Sequence, residues 1–548
     1  MTGRASRALA LLHTLLLLAC DEEPDDPLEP APPSVSVLAE GAALVGSTNG
    51  IAFDASNRLF VANGGGQSIS VLDPETGEII EVLGPEHGVG FPDDLAFAPD
   101  GTLLWTDALT GEVRGWTTSG EMVVAATDIP SINPIAISDD GRVFVGQCFH
   151  EQPGSIFEVD PTGIQPPREV VGGVPGCAAN GMDWWDGHLY VPRWFEGSVL
   201  RIDDQDGTTS DVTTDWSVPA AVALDSVGRV HAVSQASGEV IRIDSDTGAR
   251  TVLATLTPGL DNLAFDASDR LFVSSTTDAF IVEVLDDGTT RTVSEGGMTL
   301  PMGVAVLGET LYVGEGLSIR SFNKNTGEAL EVIRSVVGVG PLTLFAGPLE
   351  VWQGQLFVLD PFFGSAALLD PATTTSQNLL PFSAPVDSEP FAGGIAVTEL
   401  GTGSVVLAMG ADLSERTTMT SGLAGPAGLA AHGNDLYVSD SVSGEVLQIV
   451  QDAVPLATPE PISDTIFSSP EGIAVLDDTR LLVVEGGTGS LHIVHLDSGA
   501  TEPVADDLPF KPTAPGLPPH MNFNDLHADS SGALYLNAEG AARIYKIE

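Results

Sequence analysis

Lysine is nearly absent from this sequence. Only Lys324, Lys511 and Lys546 occur in 548 residues, and 21 basic side chains stand against 76 acidic ones. A formal net charge of −55 repels phosphate backbones and anionic lipid, which excludes nucleic acid as a partner and reads as a solubilising acidic surface. Cysteine is equally scarce: Cys20, Cys148 and Cys177 are the whole complement. No Walker A loop, HExxH, GxSxG elbow, CxxC pair or dinucleotide glycine fingerprint occurs. These absences remove the common nucleotide-binding, zinc-protease and serine-hydrolase readings. Sustained helical periodicity is missing too. In its place are 61 glycines, 38 prolines and 43% apolar residues, a composition suited to a β-rich protein with many turns.

The first residues stand apart from the rest. "MTGRASRALALLHTLLLLAC" carries Arg4 and Arg7, then an apolar run, then Ala19-Cys20. The run is too short for a bilayer-spanning helix and reads as an export signal. Leu17-Leu18-Ala19-Cys20 resembles the lipobox of bacterial lipoproteins, which implies cleavage before Cys20 and lipidation of it. "DEEPDDPLEPAPPSV" follows. It is too acidic and proline-rich to bury a core, and it reads as an extended tether. The expected division is a signal over 1–19, a tether over 20–33, and two folded halves over 34–287 and 288–548.

Those halves repeat one pattern. "NGIAFDASNRLFVANGGGQSISVLDPETGEIIEVL" returns as "NLAFDASDRLFVSSTTDAFIVEVLDDGTTRTV" and, more loosely, as "LAFAPDGTLLWTDALTGEVRGW" and "LAAHGNDLYVSDSVSGEVLQIV". Each unit is a short apolar segment, an Asp/Gly/Ser turn, a second apolar run and a hairpin, which is strand chemistry throughout. Aligned on Ile51, Leu95, Ile135, Met182, Val222, Leu263, Val304, Leu349, Ile395, Leu429, Ile473 and Leu526, the units recur about every 43 residues, the length of a four-stranded propeller blade. The fold class read from this is all-β: two tandem six-bladed β-propellers, each closed by one N-terminal strand plus three. Under that scheme the orphan strand 34–41 completes the sixth blade, and 290–297 completes the twelfth, so that neither ring leaves a free edge.

"PDDLAFAPDGTLLWTD" and "ANGMDWWDGHLYV" resemble the six-bladed superfamily of NHL-repeat and SMP-30/gluconolactonase-like proteins. The resemblance extends over most of the chain after residue 40. It implies a propeller with functional loops on one face of a central channel, and it admits lactonases and pure binding proteins alike. In the gluconolactonase family a divalent metal sits in the channel on Glu, Asn and Asp residues. Asn180 matches that family's Asn-Gly motif, whereas Asn49 and Ala220 stand where a Glu and an Asp are expected.

Two columns follow from the repeat register. The lead-in to the first strand offers Asn49, Asp93, Asn133, Asn180 and Asp261 in the first half. These oxygen ligands suit a hard cation, Ca²⁺ or Mg²⁺, able to polarise a carbonyl, or else they cap turns and bind channel water. In the second half Glu315, Asp360, Asp440, Glu471 and Glu485 form a set of ligand-face carboxylates, with His520 and Asp525 as possible companions. Trp184, Trp185 and Trp194 with Arg193 read as packing or as an aromatic wall. "DDQDGTTSD" at 203–211 reads as a hairpin turn. Cys148 and Cys177 fall on the same rim of neighbouring blades, and a disulfide between them is expected.

These observations favour an exported monomer, lipid-anchored to the cell envelope, that acts as a binding or scaffold module for a protein, peptide or glycan. The alternative is a metal-dependent lactonase or related hydrolase in the first half.

Overall fold

The computed structural model describes residues 33–148, 154–175, 180–334, 345–378, 381–511 and 523–548. Cys20, Cys177 and His520 lie outside them.

Among the described residues the strands form twelve four-stranded antiparallel sheets. We number them 1 to 12. Their strands lie within residues 48–83, 92–126, 132–174, 183–213, 219–255, 260–294, 303–334, 349–378, 385–421, 426–461, 470–505 and 526–547, the last with an added strand, Val35–Glu40. The architecture is all-β and propeller-like. Within sheets 1 to 6, and again within sheets 7 to 12, the first strand of each sheet lies beside the first strand of the next. That of sheet 6 also lies beside that of sheet 1, and that of sheet 12 beside that of sheet 7.

The repeat is explained by what each segment must do. The second strands, such as Leu59–Asn63, Leu103–Asp107 and Leu271–Ser275, are buried along their whole length, because a neighbouring sheet covers each face. The preceding turn is held by one aspartate. Asp54 Oδ1 accepts the amides of Ser56 and Arg58, and Asp266 Oδ1 those of Ser268 and Arg270. Each aspartate then pairs with the arginine four residues on, and that guanidinium lies over Phe60 or Phe272. "DASNRLF" and "DASDRLF" are therefore one turn-and-cover device used twice.

Sheets are joined to their neighbours by buried polar clasps. Thr106 Oγ1 accepts the Asp94 amide (3.1 Å) and donates to the carbonyl of Asn133 in sheet 3 (2.5 Å). Thr398 bridges Asp387 and Ala427 in the same way, and Ser439 bridges Gly428 and Glu471. Ser274 links Asn262 to Asn49, sheet 6 to sheet 1. Asn537 links Asp525 to Pro301, in the lead-in to sheet 7. A parallel series uses carboxylates: Asp94 accepts the amide of Ile135, Asp387 that of Leu429 and Asp525 that of Val304.

Two expectations are corrected. Strand Val35–Glu40 pairs with Arg543–Ile547 in sheet 12, not sheet 6, and Ser34 and Glu548 exchange both backbone bonds. Strand Thr290–Ser294 stays in sheet 6, paired with Ile281–Val284. The turn between those two strands is tight, with Gly288 at φ 82°, so the local partner forms at low loop-closure cost. Only the last three strands of the chain lack a fourth, and Val35–Glu40 covers that edge. Strand 35–40 is thus part of sheet 12 and 290–294 part of sheet 6.

The second correction concerns sheet 9. Its first strand is Pro385–Phe391, and Ile395 lies on its second. A two-residue turn with Ala392 and Gly393 at positive φ joins them, the form that hairpin twist favours.

The clasps make a stability prediction. Ser274→Val removes a buried hydroxyl and leaves the Asn262 amide and the Asn49 carbonyl without that partner. The expected loss is about 1–3 kcal/mol, read as a lower denaturation midpoint with an unchanged m-value. Ser531→Ala, at an exposed turn of sheet 12, should cost far less.

Candidate functional site

The innermost strand of each unit carries alanine one residue after the alignment mark in eight of twelve units: Ala52, Ala96, Ala136, Ala223, Ala264, Ala305, Ala430 and Ala474. In the second half, with sheet 9 correctly registered, the departures are Glu350, Glu389 and His527. In the first half Asp183 is the single departure. Small side chains suit a crowded position between sheets. Three ionisable ones there create a different environment.

They meet in a cavity of about 160 Å³ lined by the first strands of sheets 8 to 12. Its polar wall is Glu350, Asp387, Glu389, Asp525 and His527, with Ser388 between two of the acids. Leu349, Leu429, Ile473 and Leu526 supply apolar wall. His527 Nδ1 lies 3.4 Å from Glu350 Oε2, both side chains about nine-tenths buried. One oxygen each of Asp387 and Asp525 is held by the amide of the next sheet, at 2.7 and 2.9 Å. Asp387 also accepts the Ser388 amide. The Ser388 hydroxyl is buried and has no hydrogen-bond partner.

The electrostatics follow from crowding. Burial, then Asp525, pushes the Asp387 carboxyl well above the usual range, and burial, then Glu350, does the same to Glu389. Burial raises Asp525 to about 7. Burial alone would lower His527, yet Glu350 and Asp525 hold it above its ordinary value. The His527 imidazole thus faces four carboxyls, and burial raises three of them, Asp387, Glu389 and Asp525.

The first-half column also comes together. Asn49 Nδ2 donates to Asp93 Oδ1 (3.0 Å), Asn133 Nδ2 to Asn180 Oδ1 (3.1 Å), and Asn180 Nδ2 to Asp261 Oδ1 (3.0 Å). Burial raises Asp93 to about 6; burial, then Asp93, raises Asp261 to about 7. Asn133 Oδ1 is buried without a partner. This oxygen-only set has the chemistry a hard cation takes, although the amides already occupy one oxygen of each acid. Among the described residues no group of three or more His, Cys, Asp or Glu side chains is arranged to hold a metal ion.

The expected second-half carboxylates do not converge in this way. Asp440 and Asp360 cap backbone amides of their own loops. Glu315 is held by Arg320 and Ser318, Glu485 contacts His492 and the Ser468 amide, and Glu471 accepts from Asn524. For Asp360, Asp440 and Glu485 the position at the end of the second strand is an amide-capping one, as Asp107 shows in sheet 2, whereas Glu471 lies on a first strand. Asp525 does join the cavity. The tryptophans separate: Trp184 donates to Asp204, Trp185 packs between sheets 4 and 5, and Trp194 stacks on Phe195. Residues 203–211 form the predicted hairpin turn, with Gly207 at φ 72°. Cys148 is buried and disulfide-bonded.

No protein-family model matches the chain, and no curated protein matches it. Solved structures do. Two describe the extracellular domain of BT4673 from B. thetaiotaomicron, as a putative one-component and a putative hybrid two-component system. They are 12% and 13% identical over 94% of this chain and 82% of theirs, each with a TM-score of 0.31. A third is regucalcin, a calcium-binding protein from Agrobacterium tumefaciens, 19% identical over 45% of this chain and 86% of its own, with a TM-score of 0.35. The reading of the site rests on this chain's own geometry.

The raised carboxyls fix the sign of the pH dependence. An acid whose pKa rises on folding keeps a proton that the unfolded chain releases, so its contribution to stability falls as pH climbs from about 4 to the raised value. His527, raised in the fold, acts in the same direction. The lowered acids Asp225, Asp266 and Asp529 act oppositely and lose their contribution below about pH 4. Thermal stability should therefore peak near pH 5 and decline towards pH 8. Asp525→Asn keeps an acceptor for the Val304 amide but removes the charge. It should raise stability at pH 8 by a few kcal/mol and change little at pH 5.

Proposed function

We propose that the chain is an exported, lipid-anchored binding module built from two closed six-bladed β-propellers of the NHL/SMP-30-like kind. The return of sheet 6 to sheet 1 and of sheet 12 to sheet 7 supports two rings, and Val35–Glu40 then seals the second. The binding role is carried by one observation: the second ring holds a preformed cavity with fixed walls and an unpartnered buried hydroxyl at Ser388. A rigid ring spends little ordering entropy when a ligand enters. No described helix is long and apolar enough to cross a membrane, and the lipobox-like run ending at Cys20 supplies the anchor. The acidic tether would hold the propellers off an anionic surface by like-charge repulsion. A protein, peptide or glycan could be presented on the loop faces, and the cavity takes a smaller group.

A metal-dependent lactonase in the first ring is the second reading. The hydrogen-bonded chain from Asn133 to Asp261, with its orphaned Asn133 oxygen, favours it. Asn49, Asp93, Asn133, Asn180 and Asp261 would hold a Ca²⁺ or Mg²⁺ ion, which would supply Lewis-acid polarisation of a carbonyl.

Two measurements check these readings. Cys20→Ser should move the protein from the membrane fraction to the soluble fraction and abolish fatty-acid labelling. Purified protein should show no chelator-sensitive lactone hydrolysis if it is a binding module. Stoichiometric bound metal with such hydrolysis, lost in Asp93→Asn, would establish the lactonase instead.

A further inference from the structure

We propose that the cavity of sheets 8 to 12 binds a small organic ammonium ion, an amine with a short aliphatic stem. The inference deepens the binding-module reading and rests on it.

Three features select this ligand. The first is donor demand. Glu350, Asp387, Glu389 and Asp525 are met by backbone amides such as those of Val351, Leu429 and Val304, and the wall offers only His527 as a charged donor. The Ser388 hydroxyl, more than nine-tenths buried, is unpartnered in the same wall. An ammonium group brings three N–H donors directed at just such acceptors. The second is the apolar remainder. Leu349, Leu429 and Ile473 close the cavity between the acids, which suits alkyl carbon and not the hydration shell of a metal ion. The third is the spacing of the acids. Asp387 and Asp525 each commit an oxygen to a neighbouring sheet's amide, and among the described residues no group of three is arranged to hold a metal ion.

The pH dependence involves few groups. Sheet 8 presents Glu350, sheet 9 Asp387 and Glu389, and sheet 12 Asp525 and His527, with Asp529 acting on His527 from the turn beyond and itself paired to Lys324 at 3.0 Å. Sheets 10 and 11 line the cavity with aliphatic residues only. Binding a cation displaces protons from these acids, so affinity should fall as the pH is lowered through 7.

The test is titration calorimetry of the full chain with n-propylammonium, with 1-propanol as the neutral control and Ca²⁺ and Mg²⁺ as separate arms. The amine should bind at pH 8, release protons in paired buffers of different ionisation enthalpy, and weaken about tenfold or more at pH 5. Glu389→Gln and Glu350→Gln, on different sheets, should each weaken it roughly tenfold or more, while Asp246→Asn, at an exposed turn of sheet 5, leaves it unchanged. Circular dichroism shows whether each variant is folded. Equal binding of propanol, no heat from the amine at millimolar concentration, or affinity indifferent to both glutamines would overturn the proposal. Metal binding in place of the amine overturns the ligand class but leaves the binding module standing. Lactone hydrolysis removes the module reading and not the amine result.

Discussion

The structure depends on one kind of contact: a buried side-chain oxygen or amide that bonds to the backbone of two sheets at once. Thr106, Ser274, Thr398, Ser439 and Asn537 each take an amide from their own first strand and give a hydrogen to the carbonyl leading into the next. Apolar packing between sheets is abundant but non-directional, and it would tolerate sliding. These bonds do not, because a slip would strand a buried amide and a buried carbonyl together. At these five junctions one sheet therefore holds its neighbour's innermost strand at a fixed height.

That fixed height turns a repeat position into a place. Residues one step past the alignment mark are level with one another around the inner strands, and alanine fills most of them. Exchanging three for Glu350, Glu389 and His527 puts ionisable groups from three sheets into one cavity without any local motif. The clasp also explains why Asp387 and Asp525 belong to both the fold and the cavity. One oxygen serves the next sheet's amide while the carboxyl lines the cavity, Asp387 taking the Ser388 amide on its other oxygen.

Much of this was legible in the sequence. Turn residues, apolar triplets and a period near 43 residues give twelve four-stranded units, and the Asn/Asp lead-in column of the first half does assemble. Closure was not legible, because "SVSVL" and "TRTVS" are equally good outer strands and only the short turn before Thr290 decides between them. Sheet 9 was misregistered because "PVDSEPF" carries acids and prolines where other first strands are apolar, while "GGIAV" imitates a first strand. The residues that make the cavity are thus the ones that hide its strand. Their signal was still present: at a position occupied by alanine in eight units, every other occupant is Asp, Glu or His. The carboxylates after the second strand misled for a related reason. A buried acid recurring at one repeat position can serve turns just as regularly as it can serve a site.

The scarcity of lysine bears on the cavity as well as on the surface. A cluster of buried acids is ordinarily neutralised by the protein's own cations, and here none is available. Lys324 is committed to Asp529, Lys546 to Glu548, and Lys511, which does not line the cavity, donates to the Gly65 carbonyl. Arginine is spent on turns and on sheet edges, as at Asp54, Asp225 and Asp266. The acids of the cavity are left with one imidazole and with protons. The strongly negative envelope of the molecule concentrates cations near it, so protons and any external ammonium compete for the same carboxyls. Which of them wins is set by pH, and the balance lies near neutrality because burial has lifted the Asp525 carboxyl to about 7.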